Sequence, residues 1–224
     1  MPAGSHSRPP PSMAASMAPA APSPRPIDLQ LSVSAALLDL GLAGLAVETE
    51  TRLAAETPVE LELGAIGGGA PLRGRVVWCF FHGTTPAATG EQMPVYRAGI
   101  EFADVLTPLA GELVRMLESR ATFPGDSRLF GRFRVTQPIR VVVRWGGAAR
   151  LLEVTGGSVR VAVEFSLEPA PGTAAELGLA DGGEPIRAAV IDVSRGEQAG
   201  VWQLELAIEA AEGPTLARLR AASA

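Results

Sequence analysis

One plan recurs twice along this chain of 224 residues, and that repetition limits what it folds into more than any other feature. Asp39 corresponds to Glu153, Gly44 to Ser158, Leu63 to Leu177 and Val76 to Val190, all at one constant offset. The stretch Thr84 to Gly90 is then shortened in the second copy. Beyond it a new constant offset matches Tyr96 with Trp202, Phe102 with Ile208 and Pro108 with Pro214. A fixed offset broken by one loop deletion is the mark of a duplicated unit. Shared strand alternation alone does not place an aromatic, an apolar strand and a helix-starting proline in common register.

Each copy reads as short strands followed by one helix. Ile27 to Val33 alternates apolar and polar residues, the period of a half-buried strand. Further strands are expected at Leu37–Leu40, Leu45–Glu50, Val59–Leu63, Leu72–Phe81 and Val95–Phe102, separated by Gly41, Gly44, Pro58, Gly67–Gly69 and a loop over Thr84–Gly90. At Thr107-Pro108 a hydroxyl cap and a first-turn proline start a helix, whose apolar stripe is Leu109, Leu113, Met116 and Leu117. Residues 1–26 are dominated by Pro, Ala and Ser without apolar periodicity and read as a disordered tail. The expected organisation is therefore a tail (1–26), a first domain (27–120), a linker (121–127) around Pro124-Gly-Asp126, and a second domain (128–224). Closing each six-stranded antiparallel sheet into a barrel removes its exposed edges.

Composition excludes several functions. Hydrophobic residues make up 47%, enough for a core, while the net charge of −5 argues against binding a nucleic-acid polymer. The single cysteine, Cys79, rules out an internal disulfide, and the two histidines, His6 and His82, form no cluster of metal-ligand spacing. No apolar run approaches the roughly 20 residues that span a bilayer, so no membrane insertion is expected and the cytoplasm is the default location. Cys79 lies within the apolar run Val76–Phe81, and His82 is separated from it along the strand, so a Cys–His catalytic pair is poorly placed. No phosphate-binding glycine loop precedes a helix. No enzyme, cofactor or metal is expected.

Both copies resemble the PilZ domain, a six-stranded barrel that serves bacteria as a receptor for cyclic di-GMP. Gly74-Arg-Val-Val-Trp78 followed by Tyr96-Arg-Ala-Gly-Ile-Glu-Phe102 is similar to that family's last two strands, and the resemblance covers nearly everything from Ile27 to Ala221. It implies a mainly β chain of two tandem PilZ-like barrels, each with a short C-terminal helix. It also implies two ligand motifs, an RxxxR arm before the first strand and DxSxxG in an early hairpin.

Arg128-Leu-Phe-Gly-Arg132 carries the arm's spacing ahead of the second copy, with Arg134 close by, and Glu153 is the only acid between Ser127 and Arg160. Guanidinium groups suit phosphates and guanine edges because they donate in a planar fork and stack on purines. The second motif is altered in both copies. In the second it reads Glu153-Val-Thr155-Gly-Gly-Ser158, keeping a carboxylate and a hydroxyl but replacing the final glycine. In the first it reads Asp39-Leu-Gly41-Leu-Ala-Gly44, keeping the carboxylate and glycine but losing the hydroxyl. The expected site is therefore Arg128, Arg132, Glu153, Thr155 and Ser158 on the second barrel, with Arg134, Asp39 and Gly44 as weaker candidates. The resemblance implies a cyclic di-GMP receptor acting through a protein partner in motility, pilus, biofilm or polysaccharide machinery. The alternative is an adaptor that binds no nucleotide and acts by protein contacts alone.

Overall fold

The computed structural model describes residues 26–63, 71–87, 89–103, 132–135, 139–165 and 169–223. The chain is mainly β. In order, the strands are β1 (Pro26–Gly41), β2 (Gly44–Thr49), β3 (Pro58–Glu62), β4 (Leu72–Pro86), β5 (Gln92–Phe102), β6 (Arg132–Arg134), β7 (Arg140–Val154), β8 (Ser158–Glu164), β9 (Ala174–Gly178), β10 (Ile186–Arg195) and β11 (Val201–Ile208). A helix, α1 (Gly213–Ser223), follows. The expected tail up to residue 25, the helix beginning at Thr107, the linker over 121–127 and Arg128 lie outside the described residues, while Pro26, expected in the tail, opens β1.

Two strands organise everything else. β1 and β7 pair antiparallel over eleven residues, from Pro26 opposite Arg150 to Ala36 opposite Arg140. At the centre Leu31 faces Trp145. These two residues are separated by the same offset that relates Asp39 to Glu153, so the ribbon pairs each repeat with the other about a local pseudo-twofold axis. The far half of each strand then joins the remaining strands of its own repeat, and the near half joins those of the other. One cycle of pairings runs β1–β2–β5–β4–β3–β7 and returns to β1; the second runs β7–β8–β11–β10–β9–β1 and returns to β7. The repeats are thus interleaved through their first strands, and the pairing crosses the expected boundary between residues 120 and 128.

Side-chain alternation explains how one strand serves two cores. Ile27, Leu29 and Leu31 of β1 are buried with Leu177, Val190 and Leu206, whereas Ala35, Leu37 and Leu40 are buried with Val47, Val76 and Ile100. The phase changes from odd to even residues between Leu37 and Leu40 because a β-bulge at Leu38 inserts one unpaired residue. β7 repeats the device: Val141 and Val143 enter the core of the first repeat, Ala149 and Leu151 that of the second, and the bulge falls at Leu152. Trp145, on the pseudo-axis, packs against both cores.

Pairing refines the sequence alignment of the repeats. The bulge at Val77 in β4 recurs at Ile191 in β10, as the constant offset requires. Leu61 opposes Leu72 and Leu177 opposes Ile186, so the partner of Leu177 is Leu61 rather than Leu63. A two-residue difference ahead of this strand escapes the offset because both leucines are buried. Two further expectations change. Ile27–Val33 and Leu37–Leu40 are parts of one strand, since Ser34-Ala-Ala36 contains no breaker. Thr84–Pro86 extends β4 rather than forming a loop, because Thr84 and Thr85 favour extended backbone; beyond it the Gly90 N–H donates to the Ala87 carbonyl.

α1 buries Leu219 completely and packs Leu216 and Ala222 against the second core. It is pinned by Arg218, which donates to both carboxylate oxygens of Asp181 at 2.8 and 2.9 Å. These bonds, with a further one from the Gly183 N–H, hold the Asp181 carboxyl at about 2, below its ordinary 3.8. A carboxylate lowered on folding contributes stability above its unfolded value and loses it as pH falls through the folded value. Helix docking is therefore expected to weaken between about pH 4 and pH 2. Hydrogen exchange at Leu219 should show this in the natural chain and lose that pH dependence in Asp181→Asn.

Candidate functional site

The end of β1 that reaches Asp39 is the end at which β7 begins. The ribbon runs antiparallel, so the residues just before β7 arrive beside the first repeat's hairpin. β6 pairs there with β1, placing Arg132 opposite Gly41 and Arg134 opposite Asp39. The Val135 N–H donates to the carbonyl of bulged Leu38 at 2.9 Å, and the Leu37 N–H donates to Ile139 at the same length. The arm's second arginine is thereby fixed on the first repeat. Its Nε and Nη2 both lie 3.0 Å from Asp39 Oδ1.

Beside this ion pair opens a cavity of about 430 Å³. Its walls are the Gly41–Gly44 turn, Arg132, Val77, Trp78, Gly99, Ile100 and Glu101. The size lies within the range of small-ligand sites. The indole of Trp78 lies over Gly99, where a side chain would collide with the ring. Glu101 is held by Arg75 at 3.2 Å, and Arg75 also bonds Glu56 at 2.6 Å; these carboxylates raise the guanidinium's pKa. The cavity thus offers a fork of N–H donors, an acceptor carboxylate, a flat aromatic surface and a turn of small residues.

Gly44 has a structural reason of its own: a Cβ there would overlap the Ile100 carbonyl oxygen on β5. Its backbone torsion is not in the left-handed region. In the second repeat Ser158 stands at this position and turns its hydroxyl to Glu205 at 2.9 Å and to Thr155 at 2.7 Å. Thr155 in turn bonds the Ser158 N–H and carbonyl, closing the turn on itself. Glu153 pairs with Arg160 at 3.1 Å.

Of the residues singled out by sequence, Arg132, Arg134, Asp39 and Gly44 come together, while Glu153, Thr155 and Ser158 cluster separately at the other end of the ribbon. The paired part of that ribbon spans roughly 35 Å at the usual rise of an extended strand. Arg132 therefore meets the first copy's motif and not the second's. Trp78 and Glu101 also line the cavity and are not among the residues that the sequence motifs single out, although both lie in the stretches Gly74–Trp78 and Tyr96–Phe102 that resemble family strands. Burial pushes the Cys79 thiol up, in line with a packing role. Among the described residues no group of His, Cys, Asp and Glu could hold a metal, and no helix is long and apolar enough to cross a membrane.

No family model matches the chain, and no curated protein matches it. Among solved structures it is similar to the Borreliella burgdorferi PlzA protein in complex with c-di-GMP, with 8% identity, 89% of this chain and 87% of that one covered, and a TM-score of 0.26. A likeness of that size bears on neither fold nor function.

Proposed function

We propose that this chain is a PilZ-like regulatory protein, built from two barrels that exchange their first strands, and that it binds cyclic di-GMP at the cavity beside Asp39. The observation that supports this reading is the ion pair between Arg132 and Asp39. It unites the two complementary half-motifs, an arginine arm and a carboxylate-glycine hairpin, that the sequence distributes between the copies. Arg132, with Arg128 preceding it on the arm, supplies charge-assisted donors for a phosphate or for the O6 and N7 edge of guanine. The Asp39 carboxylate accepts from the guanine N1–H and amino group, and Trp78 offers a stacking face. Both partners of the pair are substantially exposed, so opening it for a ligand costs no more than about 1 kcal/mol. Glu153, Thr155 and Ser158 are the turn of a second hairpin that satisfies its own polar groups, and they take no part in this site.

Binding at the junction of the arm and the first hairpin would change the surface offered to a protein partner in motility or polysaccharide machinery, without catalysis and within the cytoplasm. The adaptor reading keeps the same partner surface but no nucleotide, and the mutual satisfaction of Arg132 and Asp39 favours it to that extent. A thermal-shift titration separates the two. A ligand at a hundredfold excess over its Kd stabilises by about 2.7 kcal/mol. Cyclic di-GMP should therefore raise the melting temperature by several degrees in the natural chain and not in Arg132→Ala. No shift in either protein would favour the adaptor.

A further inference from the structure

The second half of β4 forms an edge of the sheet. Beyond Val76 its only strand partner among the described residues is β5, and before Tyr96 the only partner of β5 is β4. Trp78–Phe81 lies opposite Tyr96–Gly99, which β2 backs, and only Gly83–Pro86 with Gln92–Val95 is a two-stranded ribbon; along both stretches the outer β4 edge is unpaired among the described residues. Proteins blunt such edges with charge or proline. Val77-Trp-Cys-Phe-Phe-His-Gly-Thr-Thr85 carries neither, and its apolar side chains face outward: Val77 is 45% exposed, Phe80 51% and Phe81 58%. Trp78 stacks on Phe80 with ring centres 5.3 Å apart, and Phe80 meets His82 edge to face at 6.5 Å. The fold does not require this. The corresponding strand in the second repeat reads Ile191-Asp-Val-Ser-Arg195, with charges where the first repeat has Trp78 and Phe81.

We propose that this edge is a homodimer interface, in which β4 pairs antiparallel with β4 of a second copy about a twofold axis near Phe80. Three observations favour a second copy over another occupant. In an isologous pairing every side chain meets its own kind or its neighbours, and a charged edge would set like charges together. This edge has none, so self-pairing meets no like-charge penalty. The opposite edge is closed: β2 already pairs with β5 over Tyr96–Glu101, and further out Pro94 has no N–H to donate, so pairing stops at two copies instead of growing into a filament. The aromatic row Trp78–Phe80–His82 is also symmetric about Phe80, so the twofold sets Phe80 on Phe80 and each Trp78 beside the partner's His82. Aromatics able to bury about 150–250 Å² each, together with the newly paired backbone, bring the contact towards the roughly 1,000 Å² that a specific interface needs. The proposal stands whether or not the cavity binds a nucleotide.

Sedimentation equilibrium of the full chain between 1 and 200 µM tests it. The natural protein should move from monomer to dimer across that range. Phe80→Lys and Phe81→Lys, both at exposed positions and checked by circular dichroism for an unchanged fold, should weaken association at least tenfold. Ile191→Lys, on the equivalent strand of the second repeat, should dimerise normally. A natural chain that stays monomeric at 200 µM would overturn the proposal. So would a dimer indifferent to both lysine variants, or one disrupted equally by Ile191→Lys.

Discussion

Chains comprising residues 1–120 and 128–224 are expected to be unfolded when made separately and to recover structure when mixed. Duplicated domains joined by a linker ordinarily survive such a cut. Here each core is completed by the other repeat's first strand. The first core would lose Val141 and Val143, and the second would lose Ile27, Leu29 and Leu31, all of them buried. At about 1.5–3 kcal/mol for each buried aliphatic side chain, the losses are roughly 3–6 and 5–9 kcal/mol. A domain's whole stability is only about 5–15 kcal/mol. The cut also exposes both members of an eleven-residue strand pair as open edges. Circular dichroism and amide spectra of each half, alone and after mixing, read the outcome. A cooperative native melt from either half alone would mean that the interleaving is not needed for folding.

A single methyl group at the centre of that ribbon should do comparable damage. At Gly146, opposite Gln30, an added Cβ would overlap the carbonyl oxygen of Leu29, a backbone atom that cannot swing aside. At the next residue, Gly147, nothing lies within 4 Å of the same addition. Gly146→Ala is therefore expected to destabilise by about 3 kcal/mol, the upper range for overpacking. Gly147→Ala should be neutral or stabilising by up to about 1 kcal/mol, because it removes freedom from the unfolded chain. Urea denaturation of the two variants beside the natural chain checks this. Because Gly146 adjoins Trp145, which packs on both cores, the loss should appear in one cooperative transition and not in half of the molecule. Equal effects from the two glycines would argue against the register of β1 on β7.

The local signals in the sequence were strong where a side chain's fate depends on its own strand. Alternation from Ile27 to Leu31, the Gly41–Gly44 turn and the strands ending at Phe102 and Ile208 were all legible, and so was the repeat. What could not be read was which repeat's strands each half of β1 and β7 would join. The odd-to-even switch between Leu37 and Leu40 does mark the bulge, but Leu38 is itself apolar and masks the change of phase. The neighbours of the arginine arm are hidden for a related reason. Arg132 precedes β7 in the chain, which associates it by sequence with the copy that β7 begins. Antiparallel pairing delivers the start of β7 to the end of β1, so the arginine reaches Asp39. That is a property of long-range pairing, which sequence spacing does not encode. The exposure of Phe80 and Phe81 was equally hidden, since an apolar run reads as core until the strand is seen to overrun its neighbours.

Calorimetric titration with cyclic di-GMP, comparing the natural chain with Asp39→Ala, Arg132→Ala and Glu153→Ala, tests the proposed site most directly. The account predicts saturable binding that falls by about tenfold to a hundredfold in Asp39→Ala and Arg132→Ala, as expected for the loss of a charged hydrogen bond worth about 1.5–3 kcal/mol. Glu153→Ala should bind like the natural chain. Binding lost in Glu153→Ala but kept in Asp39→Ala would place the ligand on the second repeat and contradict the site described above. No binding by the natural chain would contradict the receptor reading itself.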